Sequence, residues 1–549
     1  MPQLPDELQP LAILGTARLP ADEYFGPLLD SPNELLRIGA WCVLLDRDEV
    51  PASRYADAAL LSVHGGVRRR AVQHFQRFFE YGFANQVLAL TAADEADAET
   101  AVMRAELADD DPALATALAA QFIATGDIDL LAKLMTTRER LGGWRAALPI
   151  AVDRVVLGPH DPVAAYALLN LIHSARHIEL LEAVVGLFDA NHLHPFHTRL
   201  FGAAAKLLKG NPGGCLKDLA SLGTARSPRA DIVGRLRATW LTLNAEALER
   251  LGDYRNAYTG YVELNRLDQK TFDLAEFGKT TLAAAALHVP PLPSDARADC
   301  FVMTGFPRSG TTLLENALAA HPLVETFEEI PSSTSMQLFL DLTLPELPAS
   351  ADLVPVFEEA RARYYAEIDR RRKKPAATAL VDKLPIKSAD AVFTAKLFPE
   401  KRYIFSIRHP FDVVLSCFKQ QFEPNIVMEH FRTFETAAKL YDFTMTQWFS
   451  TFSLDDPRVH YVRYHTLVTE FEPTVRAALA FLGAPWDDAV LNFAAAAENR
   501  AARTPSYQKV RQGLTIGMQS SWKNYGFLFQ SDAAKPLRKW VEFFGYHAE

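Results

Sequence analysis

The sequence predicts a protein of two parts, an all-α N-terminal region followed by a C-terminal α/β domain built on a mainly parallel sheet. Residues 1–286 are rich in Ala and Leu, show helical periodicity and contain few strand-like runs. After a proline-rich break, two stretches read as an apolar strand, a glycine- or proline-bearing loop and a helix, which is the pattern of an open α/β sheet. At 549 residues the chain is also too long for one typical domain.

The N-terminal region, residues 1–286, is predicted to form helical hairpins. Residues 243–267 are the clearest case, and they resemble a tetratricopeptide unit, with a turn at Gly252-Asp253-Tyr254 and with Ala257 and Tyr261 on its inner face. Similar turns at Gly126-Asp127 and Gly210-Asn211 are not evenly spaced, so the array is degenerate. Such an array would present a concave surface to a protein partner. The alternative is an irregular helical domain without a ligand.

A linker, residues 287–299, is predicted between the two parts. Pro290, Pro291 and Pro293 prevent a helix there and favour an extended chain. The C-terminal domain is therefore predicted to span residues 300–549, with its first strand at 300–304.

The first strand leads into a loop with the spacing of a phosphate cradle. Between Gly305 and Thr312 the pattern is G-x-x-x-x-G-T-T, one residue away from the nucleotide-binding loop G-x-x-x-x-G-K-[ST]. Thr311 takes the place of the lysine that would reach a γ-phosphate. Backbone N–H groups and a helix N-terminus still suit an anion, and Arg308 supplies a cation inside the loop. The glycines taken alone could also be turn residues.

A second strand, loop and helix follow about a hundred residues later. Residues 403–407 are apolar and lead through Arg408-His409-Pro410 into a helical pattern. Taken singly, Arg408 could be a helix-start residue and Ser416 a solvent-facing one.

Together the two motifs resemble the 5′-phosphosulfate loop and the 3′-phosphate motif of sulfotransferases, most closely the protein-tyrosine sulfotransferase branch and its bacterial relatives with tetratricopeptide-like repeats. The resemblance implies a P-loop-type domain that uses 3′-phosphoadenosine 5′-phosphosulfate (PAPS) and needs no metal. It assigns binding of the donor to Pro307, Arg308, Ser309, Gly310, Thr311 and Thr312, and binding of its 3′-phosphate to Arg408 and Ser416.

The same resemblance implies the catalytic residues. Glu329, the second residue of a Glu-Glu pair, corresponds to the general base, and a carboxylate is suited to taking a proton from an attacking hydroxyl. Lys383, in the D-K-x-P-like segment 382–385, and Arg308 would stabilise the leaving group. Two plainer interpretations stay open, a solvated acidic turn at Glu325, Glu328 and Glu329 and a surface lysine at 383.

The resemblance implies three further donor-binding residues, all in the C-terminal segments. Tyr464 follows a strand at 459–462, and Ser506 and Lys523 match a closing segment around the 3′-phosphate. Trp522 would stack on the purine or pack in the core. The family often has a second basic residue where this chain has Gln420, and Lys419 or Lys523 would then supply the charge.

Composition limits the other function classes. The net charge of −10 argues against a general nucleic-acid binder. The basic run 370–374 is either a solvated helix end or a contact for an acidic acceptor. Four scattered cysteines predict neither disulfides nor a zinc site. The sequence shows no signal peptide and no apolar run long enough for a membrane span, which predicts a cytoplasmic protein.

The sequence thus predicts transfer of the sulfuryl group from PAPS to an acceptor hydroxyl. The acceptor is open between a protein tyrosine, a sugar, a lipid and a small phenol. Two alternatives belong to other classes, a P-loop kinase and a helical-repeat scaffold that carries a degenerate transferase domain.

Overall fold

The computed structural model describes residues 25, 28–30, 34–57, 65–89, 98–223, 230–267, 272–295, 297–493 and 521–546. The chain divides into two compact units, Met1–Leu130 and Leu131–Glu549. The division into domains at residues 287–299 stays a prediction. Ser506, predicted to bind the donor, lies outside the described residues.

The first unit is helical throughout its described part. Its core is formed by apolar side chains such as Trp41, Leu44, Phe75 and Val87, which are completely buried. Its helices are α1 Glu34–Arg47, α2 Gly65–Arg77, α3 Tyr81–Ala89, α4 Ala98–Leu107 and α5 Asp111–Thr125. Gly126 ends α5 with a φ of 67°, as expected for a helix C-terminus.

The next helices confirm the all-α prediction for the described residues up to 286. They are α6 Asp129–Leu157, α7 Pro162–Ser174, α8 Ile178–Ala190, α9 Pro195–Leu208, α10 Pro212–Ser221, α11 Ala230–Arg250, α12 Tyr254–Asn265 and α13 Leu274–Ala286. α6 is interrupted at Gly142 and Gly143, whose backbone angles are not helical. Both predicted turns of this region are present, because Gly210 and Gly252 have left-handed φ angles of 81° and 83° between consecutive helices.

The C-terminal part is built on a five-stranded sheet in which all four strand pairs are parallel. The strands are β1 Cys300–Gly305, β2 Val324–Glu328, β3 Ala379–Lys383, β4 Arg402–Ile407 and β5 Val459–Arg463, in the order β2-β3-β1-β4-β5. The all-α and α/β classes predicted for the two parts are confirmed, whereas the tetratricopeptide-like repeat stays a prediction. The chain proceeds from β1 first to one side of the sheet and then to the other, and a crevice for a ligand forms at such a switch point, beyond the carboxyl ends of the strands.

Helices cover both faces of this sheet. They are α14 Thr311–Ala319, α15 Ser332–Thr343, α16 Val354–Arg370, α17 Ala391–Leu397, α18 Pro410–Phe418, α19 Phe434–Phe449, α20 Tyr464–Thr469, α21 Phe471–Leu482, α22 Gly526–Phe529 and α23 Lys535–Phe543. Along β1, Met303 packs on one face with α14, while Val302 packs on the other with α18. None of the helices in the described ranges is both long and apolar enough to cross a membrane.

The hairpin α11–α12 packs onto the sheet domain. Its helices cross closely, since a Cβ at Gly260 would lie 3.2 Å from the Cβ of Ala245. Ala257 and Tyr261, which the sequence places on the inner face of a repeat, are buried in one core cluster with Val414 and Phe418 of α18. The sheet domain therefore covers this face of the hairpin.

Candidate active site

The loop after β1 depends on glycine at both of its ends. Gly305 has a φ of 152°, and a Cβ there would lie 2.8 Å from both Ser309 Oγ and Ser406 O. Gly310 has a φ of 104°, and a Cβ there would lie 2.5 Å from Cδ2 of Tyr464. Any other residue at either position would clash with its neighbours and adopt a strained backbone.

The loop leads directly into the N-terminus of α14. The N-cap position of α14 is Gly310, which has no side chain to cap the helix. The first turn carries no acidic residue. Thr311 and Thr312 are buried there. Ser309 Oγ is also buried and has no hydrogen-bond partner within the described part of the chain. An anion with acceptor oxygens suits this uncapped helix end and unsatisfied hydroxyl.

The two phosphate motifs, a hundred residues apart in sequence, meet at this loop. Arg308 Nε donates to Ser416 Oγ at 3.1 Å, and Arg408 Nη1 donates to the carbonyl of Arg308 at 3.3 Å. The guanidinium of Arg408 lies 4.6 Å from the centre of the Tyr464 ring. Cys417 Sγ donates to the carbonyl of Pro307 at 3.3 Å. The residues predicted to bind the 5′-phosphosulfate and those predicted to bind the 3′-phosphate thus form one cationic cluster.

Arg308 is held at an energetic cost that an anion would offset. Burial, assisted by the charge of Arg408, lowers the pKa of Arg308. Arg308 and Glu329 are also the two non-glycine residues of ranges 297–493 and 521–546 with a left-handed backbone, at φ angles of 71° and 50°. Such conformations cost about 1–3 kcal/mol each and concentrate at functional sites.

Lys383 and Glu329 form an ion pair at the carboxyl edge of the sheet. Lys383 Nζ lies 3.1 Å from Glu329 Oε1 and 3.1 Å from Glu328 Oε1. The side chains of Lys383 and Glu328 are 0% and 6% exposed, whereas that of Glu329 is 38% exposed. Lys383 is therefore no surface residue, and of the two glutamates Glu329 is the one that is accessible from solvent.

Glu325, Glu328 and Glu329 do not form one solvated acidic turn. Glu325 is buried and accepts the backbone N–H groups of Lys373 and Lys374 at 2.6 and 3.1 Å. Burial raises the pKa of Glu328, and the nearby Lys383 only partly offsets this effect. Burial also acts to lower the pKa of Lys383, but the surrounding carboxylates outweigh it, so that this pKa is raised.

One of these carboxylates, Glu315, was missed by the sequence analysis. It is completely buried on α14 and accepts a hydrogen bond from Thr326 Oγ1 at 2.8 Å. Its charge is a main cause of the raised pKa of Lys383. The available signal was an acidic residue in the middle of the otherwise uncharged helix 311–319.

A second buried network supports β3 next to Lys383. Asp382 Oδ2 accepts hydrogen bonds from Ser332 Oγ at 2.6 Å, from Tyr364 OH at 2.7 Å and from Lys387 Nζ. Asp382 and Ser332 are 0% exposed. The network joins β3 to α15 and α16, and it fixes the strand end from which Lys383 extends.

The remaining C-terminal candidates have different surroundings. Trp522 is a core residue, because its ring stacks on His409 at 5.1 Å and its backbone N–H donates to Asp412. Lys523 is exposed beside it, with its ammonium 5.8 Å from the Trp522 ring. Lys419 pairs with Glu249 of α11.

The basic run 370–374 lies at the opposite edge of the sheet. Lys374 Nζ donates to Ala319 O at 2.6 Å and to Val324 O at 3.0 Å, and Val324 begins β2. Glu329 follows the other end of β2, and a strand of this length spans roughly 15 Å. The run begins at Arg370, the last residue of α16, which favours the helix-end interpretation over contact with an acceptor.

No cluster of three or more potential metal ligands occurs among the residues for which positions are described. All four cysteines are free thiols, as predicted.

Comparison with known proteins gives a consistent result for this part of the chain. Residues 301–488 match the model of the sulfotransferase family. Protein-tyrosine sulfotransferase 1 of Danio rerio is 27% identical over 194 residues, which cover 34% of this chain and 54% of that protein. Protein-tyrosine sulfotransferase A of Caenorhabditis elegans is 29% identical over 209 residues, covering 34% and 50%.

An uncharacterized protein of Aquifex aeolicus is 25% identical over 302 residues, covering 51% of this chain and 39% of that protein. The chain spans about half or less of the length of the curated relatives it matches.

Among solved structures, the chain is similar to the sulfotransferase domain of the Synechococcus PCC 7002 olefin synthase. The two chains share 19% identity with a TM-score of 0.33, and the match covers 48% of this chain and 98% of that one. Sulfotransferase STF9 from Mycobacterium avium has 14% identity, a TM-score of 0.28 and coverage of 59% and 99%.

The matched segment 301–488 contains the loop after β1, the Glu329–Lys383 pair, and the Arg408 and Tyr464 contacts. By this match and the similarity to curated sulfotransferases, residues 301–488 are assigned to the sulfotransferase family.

Proposed function

We propose that the protein transfers the sulfuryl group of PAPS to the hydroxyl of an acceptor. The observation that carries the proposal is the convergence of Arg308, Arg408 and Ser416 at the loop after β1. This cluster supplies two cations and a hydroxyl beside a helix N-terminus. A nucleoside triphosphate would instead require the lysine that Thr311 replaces.

The donor would be held at two places. The backbone of Pro307–Thr312 and the hydroxyls of Ser309, Thr311 and Thr312 would take the phosphosulfate. Arg408 and Ser416 would take the 3′-phosphate, with Tyr464 packed against the arginine and Lys523 beside the start of α18. The buried, unsatisfied hydroxyl of Ser309 supports this assignment. Ser506 is proposed for the same 3′ site from the sequence alone.

The proposed reaction is an in-line displacement at sulfur. When bound, PAPS supplies the sulfuryl group, with the acceptor oxygen forming the new bond to sulfur while the bond from sulfur to the bridging phosphate oxygen breaks. Glu329 accepts the proton of the acceptor hydroxyl. Arg308 and Lys383 stabilise the negative charge on the leaving 3′-phosphoadenosine 5′-phosphate (PAP).

The ion pair of Glu329 and Lys383 links these two tasks. At a separation of 3.1 Å the ammonium of Lys383 positions the carboxylate of Glu329. When Glu329 takes up the proton its charge disappears. The charge of Lys383 is then less neutralised at the moment when the leaving phosphate needs it.

For the acceptor we propose a phenolic hydroxyl, with a protein tyrosine as the first case to test. The support is that several curated relatives are protein-tyrosine sulfotransferases. A sugar, a lipid and a small phenol are the other outcomes of the same screen.

The test is an assay of PAP formation from PAPS with tyrosine peptides, simple phenols, sugars and hydroxylated lipids. The parent should form PAP with at least one acceptor class. Glu329→Gln should lose turnover but still bind PAP, because the residue acts on the acceptor proton. Glu346→Gln, at an exposed glutamate of the short helix Leu344–Glu346, is the matched control and should keep full activity. Full turnover in Glu329→Gln would contradict the assignment of the base.

A further inference from the structure

The helix that carries Ser416 is tied directly to the phosphate loop. Ser416 Oγ accepts from Arg308, and Cys417 Sγ donates to Pro307 O. Both residues lie in the last turn of α18, which ends at Phe418. A shift of this helix end would therefore move the hydroxyl of Ser416, one of the two side chains of the proposed 3′-phosphate site.

The end of α18 is held from the helical region. Asn265, the last residue of α12, donates from Nδ2 to the carbonyl of Phe418 at 2.8 Å, across 153 residues of sequence. Its Oδ1 accepts from Gln421 Nε2 at 2.9 Å. Asn265 is 2% exposed. The last carbonyls of a helix have no partner within the helix, so this buried amide satisfies a group that would otherwise be costly to bury.

Two further contacts connect the same elements. Lys419, directly after α18, pairs with Glu249 of α11, and its ammonium lies 5.2 Å from the ring of Tyr261. The ring of Tyr258 packs on Phe418 with centroids 5.3 Å apart. The hairpin thus contacts the end of α18 through a hydrogen bond, an ion pair and apolar packing.

We propose that Asn265 and the hairpin α11–α12 position α18 for binding of the 3′-phosphate, so that the helical region sets the affinity for the donor without contacting it. The inference rests on the proposed function. Asn265 is a positioning residue, because it acts through Phe418 and Ser416 and not on the nucleotide.

The two phosphates of the ligand allow this role to be separated from general stability. Adenosine 5′-phosphate uses the loop after β1 but lacks the 3′-phosphate, whereas PAP uses both sites. A displaced α18 should weaken binding of PAP much more than binding of adenosine 5′-phosphate. A variant that is merely less stable would weaken both alike.

The experiment is calorimetric titration of the full chain with PAP and with adenosine 5′-phosphate. Asn265→Ala should lower the ratio of the two affinities at least five-fold. Gln421→Ala removes the hydrogen bond from Gln421 Nε2 to the Asn265 side chain but leaves the bond from Asn265 to Phe418. It should therefore also lower the ratio, by a smaller factor. Asn256→Ala is the matched control on the same helix. Its exposed amide donates to Asp253 Oδ2 at 2.7 Å, away from α18, and the ratio should stay at the parent value.

The outcomes separate the inference from the function on which it rests. An unchanged ratio in Asn265→Ala and Gln421→Ala, with a parent that prefers PAP, would overturn the inference and leave the function in place. If Asn265→Ala does not fold, Gln421→Ala decides in the same way. A parent that binds both nucleotides equally would contradict the proposed function itself.

Discussion

Replacement of Lys383 by methionine tests the buried charges at the carboxyl edge of the sheet. Lys383 is completely buried, and the substitution would leave the 6%-exposed carboxylate of Glu328 close to Glu315 without a cation. Removing one partner of a buried ion pair costs about 3–5 kcal/mol. Glu329 adds little to this figure, because its exposed carboxylate is screened by solvent.

The expected loss can be converted into a shift of the unfolding midpoint. A unit of the size of Leu131–Glu549 unfolds with an entropy of about 0.9 kcal/mol per kelvin, from about 2.1 cal/mol per kelvin for each residue. Lys383→Met should therefore unfold about 3–6 °C below the parent near neutral pH.

The sign of the pH dependence follows from Glu328. Burial raises the pKa of its carboxyl above the ordinary value for glutamate, and Lys383 opposes this effect. Without Lys383 the pKa rises further, so the folded variant binds a proton more strongly than the unfolded chain does. The deficit should be small at about pH 4.5, where the carboxyl is protonated, and should grow as the pH rises to about 8.

The assay is thermal unfolding followed by calorimetry at both pH values. Lys373→Met, at an exposed lysine, is the control and should not shift the midpoint. Adding Glu328→Gln to Lys383→Met removes the stranded charge and should restore part of the loss at about pH 8. A shift that is equal at both pH values, or no larger than that of Lys373→Met, would refute the reasoning.

Two further predictions concern donor binding. Arg408→Ala should weaken PAP binding about 10- to 150-fold, which corresponds to a hydrogen bond to a charged group of about 1.5–3 kcal/mol. Binding of adenosine 5′-phosphate should fall much less. Equal losses for both ligands in calorimetric titration would contradict the 3′ assignment. Gly310→Ala should weaken both ligands, because its Cβ would lie 2.5 Å from Tyr464. Gly483→Ala is the control, because it introduces similar backbone strain but has open space around its Cβ, and it should bind both ligands as the parent does. Parent-like binding in Gly310→Ala would contradict the loop geometry.

The sequence was most informative where the chemistry is local. The loop Gly305–Thr312 is recognisable because a strand, two glycines and a helix start lie within a short stretch, and each glycine is required by its backbone or its neighbours. The parallel sheet was predictable for the same reason, since strand–loop–helix units specify parallel neighbours. The order of the strands and the meeting of the two motifs at Ser416 follow from packing of distant segments.

The residues that were missed depend on such distant contacts. Glu315 reads as one acidic residue on an apolar helix until β3 brings Lys383 near it. Asn265 reads as the end of a helical hairpin, and its role becomes visible only through Phe418, 153 residues later. Trp522 has the same aromatic side chain whether it stacks on a purine or on His409, so only the structure assigns it to the core.

The central claim is that the site binds a nucleotide through its 3′-phosphate and not through a γ-phosphate with a metal. The most direct measurement is calorimetric titration of the protein with PAP, with adenosine 5′-phosphate and with ATP plus Mg²⁺. The account predicts tight binding of PAP that depends on the 3′-phosphate and needs no Mg²⁺. Preference for Mg²⁺-ATP would contradict it in favour of a kinase, and binding of none of the three would indicate a scaffold with a degenerate transferase domain.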